Sequence, residues 1–198
     1  ERIVYELRGI SCISLDQVNP KKNILSSKSF GKLITEVEEL EEALANYAFR
    51  ACQKLRKQNS KTEGIYIFLK TNQYRKNDPQ YHNSIMKKLS HPSSDTSLII
   101  KTAKSLLREI YRQGFKYQKC GIMLLNTISS NYSQNHLFEK APNQKKDKLS
   151  NMIDIINQST GSESIFYASQ GIKRKWRMRS SKRSPRYTTQ WKELVKAY

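Results

Sequence analysis

The sequence predicts an α+β domain with the element order β-α-β-β-α-β, four strands in one sheet and two helices on one of its faces, followed by a small basic C-terminal α/β extension. Three observations predict it. Two long segments repeat apolar residues at three- and four-residue spacing, as amphipathic helices do. Four short runs lie between and around them as strands, the clearest being the apolar, aromatic and β-branched run Gly64 to Thr71. Beyond Thr127 the composition turns polar, then strongly basic, which marks the end of the domain.

Taken in order, Glu1 to Leu7 reads as the end of a helix stopped at Gly9, a residue suited to the left-handed position after a helix. With no initiator Met and a helix already under way, the chain is expected to be a piece of a longer protein. Ile10 to Lys22 is an irregular linker containing Pro20, and a boundary is placed there, so that residues 1–22 stand apart from a domain at 23–128. Asn23 to Phe30 is a strand ending before Gly31. Thr35 and Glu38 have capping-box spacing, and the helix they open runs to about Lys57 through Val37, Leu40, Leu44, Tyr47, Ala48, Ala51 and Leu55. Its acidic start and basic end complement the helix dipole.

Gly64 to Thr71 and Asn83 to Leu89 are the next two strands. Asp95 or Thr96 then caps a helix carrying Leu98, Ile99, Ala103, Leu106, Leu107 and Ile110, closed by Gly114, and Tyr117 to Leu125 is the last strand. Residues 129–145 form a polar linker. Residues 146–198 form the extension, with a helix from about Lys146 to Gln158 presenting Leu149, Met152, Ile153 and Ile156, and one more strand at Ser164 to Ser169.

Lys and Arg total 36 against 17 Asp and Glu in 198 residues, a formal charge of +19 with a pI near 9.9. Such a surplus favours a polyanion, nucleic acid above all, as partner. Eight cations fall between Lys173 and Arg186 without an acid: Lys173, Arg174, Lys175, Arg177, Arg179, Lys182, Arg183 and Arg186. Trp176, Pro185, Tyr187 and Trp191 lie among and beyond them, and cations interleaved with aromatics suit phosphate and base contacts. This run is expected to be a separately attached element that raises affinity for single-stranded DNA or a nucleoprotein filament, apart from the domain core.

No apolar run exceeds about five residues, too short for a membrane helix. Cys12, Cys52 and Cys120 are far apart and odd in number, which fits packing residues in a reducing cytosol rather than a disulfide framework. His82, His91 and His136 lack partners at ligand spacing, and no Walker loop, His-Glu-x-x-His or paired-Asp metal signature occurs. No cofactor or metal is therefore expected in this chain, and catalysis within it is not expected either.

Gln134, Leu137 and Phe138 form a Gln-x-x-Leu-Phe peptide inside the polar linker. It resembles the motif by which bacterial polymerases and repair proteins dock on the sliding clamp, with an amide at the pocket rim and two apolar groups in the cleft. A wider resemblance follows from Glu6-Leu7-Arg8-Gly9-Ile10-Ser11-Cys12-Ile13, Ser27-Lys28-Ser29-Phe30-Gly31, Tyr47-Ala48-x-Arg50, Lys119-Cys120-Gly121-Ile122 and Ser184-Pro185-Arg186-Tyr187-Thr188-Thr189-x-Trp191. Together they resemble the C-terminal half of UmuC-type polymerases, the error-prone translesion enzymes of the Y family.

That resemblance implies the tail of a thumb, a little-finger domain that grips DNA, and a C-terminal extension. The palm, with its Mg-binding carboxylates, would precede Glu1. Carried over by motif, Ser27, Lys28 and Ser29 on the first strand and Gln118 and Lys119 on the last, beside a Gly121 small enough for close approach, would contact phosphates. Alternation on the third strand turns Ser84 and Lys88 outward if Ile85 and Leu89 face the core, but Lys87 then falls on the core face and leaves that register open. On the second strand Ile65, Ile67 and Leu69 oppose Tyr66 and Phe68, so its inner face is undecided and only Lys70 and Thr71 at its end are assigned as contacts. The implied partners are DNA, the clamp, a UmuD-like subunit and a recombinase filament. The rival reading is a stand-alone RNA- or ribosome-binding basic α/β protein, which the residues upstream of Glu1 would decide.

Overall fold

A computed structural model describes residues 1–12, 20–131, 144–161, 163–178 and 182–194. The elements are α1 (Arg2–Leu7), β1 (Ile24–Ile34), α2 (Val37–Lys57), β2 (Ser60–Thr71), β3 (His82–Ser93), α3 (Thr96–Ile110), β4 (Tyr117–Ser129) and α4 (Gln144–Thr160), with short 3-10 turns at Ala168–Gln170 and Trp191–Glu193. The four strands form one antiparallel sheet in the order β1-β4-β2-β3. The expected β-α-β-β-α-β order is thus found, with α2 and α3 packed together on one face.

Burial explains the choice of face. Ile65, Ile67 and Leu69 of β2 and Cys120, Ile122 and Leu124 of β4 are fully buried under Leu40, Leu44, Ala48, Ala51 and Leu55 of α2 and Ile99, Ala103 and Leu107 of α3. The undecided strand is settled: aliphatic residues go inward and Tyr66 and Phe68 outward. Asp95 caps α3 by accepting from the Ser97 amide at 2.9 Å. Cys52 and Cys120 are core residues, and burial pushes the Cys52 thiol up to about 12.

Several local expectations are corrected. The strand predicted to stop before Gly31 continues to Ile34, because Gly31 donates its amide to the Trp176 carbonyl at 2.9 Å. That extension leaves only Thr35 and Glu36 to turn the chain, so Glu36 occupies the N-cap and no side chain caps α2. Thr35 sits one residue too early for the predicted capping box, and its hydroxyl donates to Glu36 instead. The strand expected at Ser164 to Ser169 is a bend leading into a 3-10 turn. Asn157 explains this: its side chain donates to the Ile165 carbonyl and accepts from the Ile165 amide, both at 2.9 Å, so no neighbouring strand is required.

The larger correction concerns the extension, whose stretch around Trp176 is built into the domain core rather than hung from it. Trp176 is only 4 % exposed and belongs to the core, edge-on to Phe30 at 6.3 Å and to Tyr47 at 5.7 Å. Its indole N–H donates to Glu42 at 3.2 Å. A side chain at Gly31 would run into the backbone of Arg177 and Met178, so the glycine is what admits the returning chain. Buried Gln170 exchanges hydrogen bonds with buried Asn46. The helix α4 docks through polar groups: Arg56 grips Asp154 with two hydrogen bonds and donates to the Ser94 carbonyl and the Thr96 hydroxyl, while Leu149, Met152, Ile155 and Ile156 stay exposed.

Candidate nucleic-acid interface

With both helices on one side, the other sheet face lies open, and the strand register assigns its residues in cross-strand rungs. One rung is Ser29, Lys119, Lys70 and His82. The next is Ser27, Gly121, Phe68 and Ser84, and the third is Leu25, Met123, Tyr66 and Met86. A fourth position adds Leu125, Gly64 and Lys88. Polarity therefore changes in steps along the strands, from cationic through aromatic to apolar.

Charge is partitioned just as sharply. The four strands carry Lys28, Lys32, Lys61, Lys70, Lys87, Lys88 and Lys119 but a single acid, Glu63, at the β2 bulge. The acids gather instead on the helix side, where Glu41 is held by Lys104 and Arg108. Burial works to raise the Glu41 carboxyl, but the hydrogen bonds from Arg108 and Lys104 outweigh it and hold it below the usual range. Among the described residues no carboxylate pairs with Lys70, Lys88 or Lys119. Lys119 reaches over the Phe68 ring at 5.9 Å, and Lys70 donates to Gln73 at 2.8 Å. Round the β1 edge, a groove of about 460 Å³ collects Lys21, Lys54 and Lys57 beside Leu25.

Of the residues assigned as contacts, Ser27, Ser29, Lys70, Ser84, Lys88 and Lys119 share the open face. Gln118 occupies the β4 bulge, half-exposed and outside the paired register. Two assignments fail on placement. Lys28 is opposite Cys120, a core residue, so its side chain emerges at the helix-side edge of β1. Thr71 is buried, its hydroxyl taken by Gln80 and the Tyr81 carbonyl. Lys87 explains the doubt over β3: it is opposite Ile65 on the helix side, tolerated because β3 is an edge strand and the lysine is exposed. Gly121 is small for a reason other than ligand approach, because an added Cβ would lie 2.6 Å from the Phe68 ring.

Residues Gln134, Leu137 and Phe138 lie outside the described residues, as does Arg179. In the basic run, Glu163 is shared by Arg50, Arg174 and Arg177, and Arg186 pairs with Glu193, whereas Lys173, Lys175 and Lys182 are exposed. Arg183 is exposed as well. Burial would raise the Glu163 carboxyl, but the charge and hydrogen bond of Arg174, with Arg177 and Arg50, hold it below the ordinary range. Trp191 is 89 % exposed, unlike Trp176. The sequence reading missed Tyr66, Phe68, Met86, Met123 and Leu25, and alternation in β2 was the signal that would have found the first two.

An antiparallel sheet covered by helices on one side and left cationic, aromatic and nearly free of acids on the other defines a platform module of the α+β class. More particularly, the chain belongs to the impB/mucB/samB family, whose C-terminal domain matches residues 21–137. A domain of unknown function (DUF4113) matches residues 147–197. The chain is 38% identical over 198 residues to the protein UmuC of Salmonella typhimurium (strain LT2), covering 99% of this chain and 47% of that protein. It is 36% identical over 196 residues to the protein MucB of Escherichia coli, covering 98% and 46%. It thus spans about half the length of the curated relatives it matches.

Solved structures that it resembles include a DinB family error-prone DNA polymerase from Sulfolobus solfataricus, with a TM-score of 0.44, 18% identity, and 54% of this chain and 30% of that one covered. Another is the little finger domain of PolIV in complex with the beta-clamp processivity factor, with a TM-score of 0.41, 14% identity, and 59% and 99% covered.

Proposed function

We propose that this chain is the DNA-gripping and clamp-recruiting C-terminal region of an error-prone translesion DNA polymerase acting in SOS DNA damage tolerance. The observation that carries the reading is the open sheet face, where Lys70, Lys88 and Lys119 lie among small and aromatic residues and pair with no carboxylate among the described residues, in a chain of the impB/mucB/samB family. Ser27, Ser29 and Ser84 supply short hydroxyl donors beside the lysines, the donor type that meets phosphate oxygens without reading sequence. Catalysis belongs to the parent protein, whose Mg-binding carboxylates would sit in a palm outside this chain. The Gln134, Leu137 and Phe138 peptide recruits the clamp, and the extension faces a UmuD-like subunit or a recombinase filament in the cytoplasm.

Fluorescence anisotropy with a primer-template tests the grip. Binding is expected to be indifferent to sequence and to weaken steeply with salt, as phosphate contacts do. A chain that stays unbound at low salt would reject the reading. Clamp capture is tested separately on immobilised clamp: Leu137→Ala with Phe138→Ala is expected to abolish weak, transient binding and leave DNA affinity unchanged. Equal clamp binding by parent and variant would make the peptide match accidental.

A further inference from the structure

A face built only to hold phosphates has no use for an apolar rung, yet one crosses all four strands on the solvent side. Leu25, Met123, Tyr66 and Met86 are cross-strand neighbours there, with Leu25 51 % and Met86 66 % exposed. Tyr66 and Phe68 are ring neighbours at 6.3 Å, and Phe68 is fixed from beneath by the missing side chain of Gly121. Successive rungs on one face are about 7 Å apart. The Lys70 and Lys119 rung is therefore one step from Phe68 and two from Tyr66, and a single nucleotide spans the first of these steps from phosphate to base.

Duplex DNA can use the cations of this face but leaves its aromatic and apolar rungs idle. Its base faces are stacked on one another, and only base edges and phosphates are presented outward. Unpaired bases expose their faces, and an aromatic or apolar platform beside a cationic track is the arrangement that binds them without regard to sequence. The absence of acids from the rungs suits a polyanion better than a protein surface of mixed charge.

We infer that the open face binds unpaired nucleotides, laying phosphates along Lys119 and Lys70 and stacking bases on Phe68 and Tyr66, so that its ligand includes single-stranded template as well as duplex. The inference rests on the proposed DNA grip and deepens it.

The test uses the full 198-residue chain, a fluorescein-labelled dodecathymidylate, and the same strand with its central nucleotides replaced by abasic residues, at one salt concentration. Phosphate number is unchanged while the bases are gone. The parent chain is expected to bind the abasic strand about tenfold more weakly. Tyr66→Leu, which keeps an apolar side chain on the rung, is expected to remove most of that difference and to leave abasic affinity unchanged. Circular dichroism and a preserved unfolding midpoint would certify the variant's fold, and Tyr66→Phe is expected to restore the parent's preference.

Three results overturn the inference, each in its own way. Equal parent affinity for the two strands means phosphates alone are held, with the DNA grip intact. A base preference undiminished by Tyr66→Leu places stacking elsewhere, for instance on the exposed Trp191, and leaves the apolar rung for a protein partner. Failure to bind either strand while a primer-template is held confines the face to duplex, and failure to bind all three rejects the DNA grip itself.

Discussion

Gly121 is the point on the open face where one methyl group would do the most damage. Its missing Cβ is the space into which the Phe68 ring settles, and Ser27 crowds the same spot from β1. Gly121→Ala is expected to cost ~1–3 kcal/mol in urea unfolding, the usual penalty for overfilling a packed site. An unchanged midpoint would mean that the ring is not seated there. Lysines on the two faces offer a complementary contrast. Lys70 and Lys119 belong to one rung, whereas Lys28 is turned to the helix side by its pairing with Cys120. Replacing Lys70 and Lys119 by Gln is expected to flatten the salt dependence of DNA binding by about two log units per log unit of salt, and Lys28→Gln by much less. If Lys28→Gln matches the effect of Lys119→Gln, orientation within the strand does not decide contact.

At the scale of elements, Glu163 holds the extension through three arginines, Arg50 from α2 and Arg174 and Arg177 from the returning chain. A carboxyl held below its ordinary range stays ionised in the folded chain at pH values where the unfolded chain already takes up the proton. Its stabilisation is therefore complete above about pH 4.3 and fades as pH falls through the lower folded value. In a Trp191→Phe background, Trp176 emission is expected to stay constant from neutral pH to about pH 5 and to shift to the red only in more acid solution. Glu163→Gln should show the shifted emission at neutral pH, and unaltered emission in that variant would make the ion cluster irrelevant to docking. The elements differ in how far they were legible beforehand. The helices α2 and α3 were readable because their apolar residues repeat at helical spacing, and strand order in the chain followed from punctuation. Strand ends were not readable, since β1 runs through Gly31 on a hydrogen bond from the Gly31 amide to the carbonyl of Trp176, a residue distant in sequence. The face of each lysine needed a register that hydrophobic alternation could not fix in β1, where serines and a lysine fill the middle. The open-face apolar rung exists only once four strands are aligned, so no single stretch of sequence contains it.

The whole molecule separates charge from structure. Cations stand on the open sheet face and in the C-terminal run, while several acids serve as internal ties, Glu41 between α2 and α3, Asp154 and Glu163 between domain and extension. A run of eight cations with no acid reads as a solvated tail by composition, yet the one tryptophan inside it is a core residue, because an apolar ring finds Phe30 and Tyr47 whatever charges flank it. Truncation after Gly171 therefore tests whether the extension is a tail or a part of the fold. Four strands and two helices retain most of the buried aliphatic residues, so the truncated chain is expected to keep its helical and strand content by circular dichroism. It is also expected to lose stability, since removal of Trp176 uncovers two aromatic rings and vacates the volume of the largest side chain. Trp176→Ala in the full chain should lose ~3 kcal/mol in urea unfolding, and the truncation at least as much, because Arg174 and Arg177 leave Glu163 as well. An undiminished unfolding midpoint in both variants would return the run to the status of a separate tail.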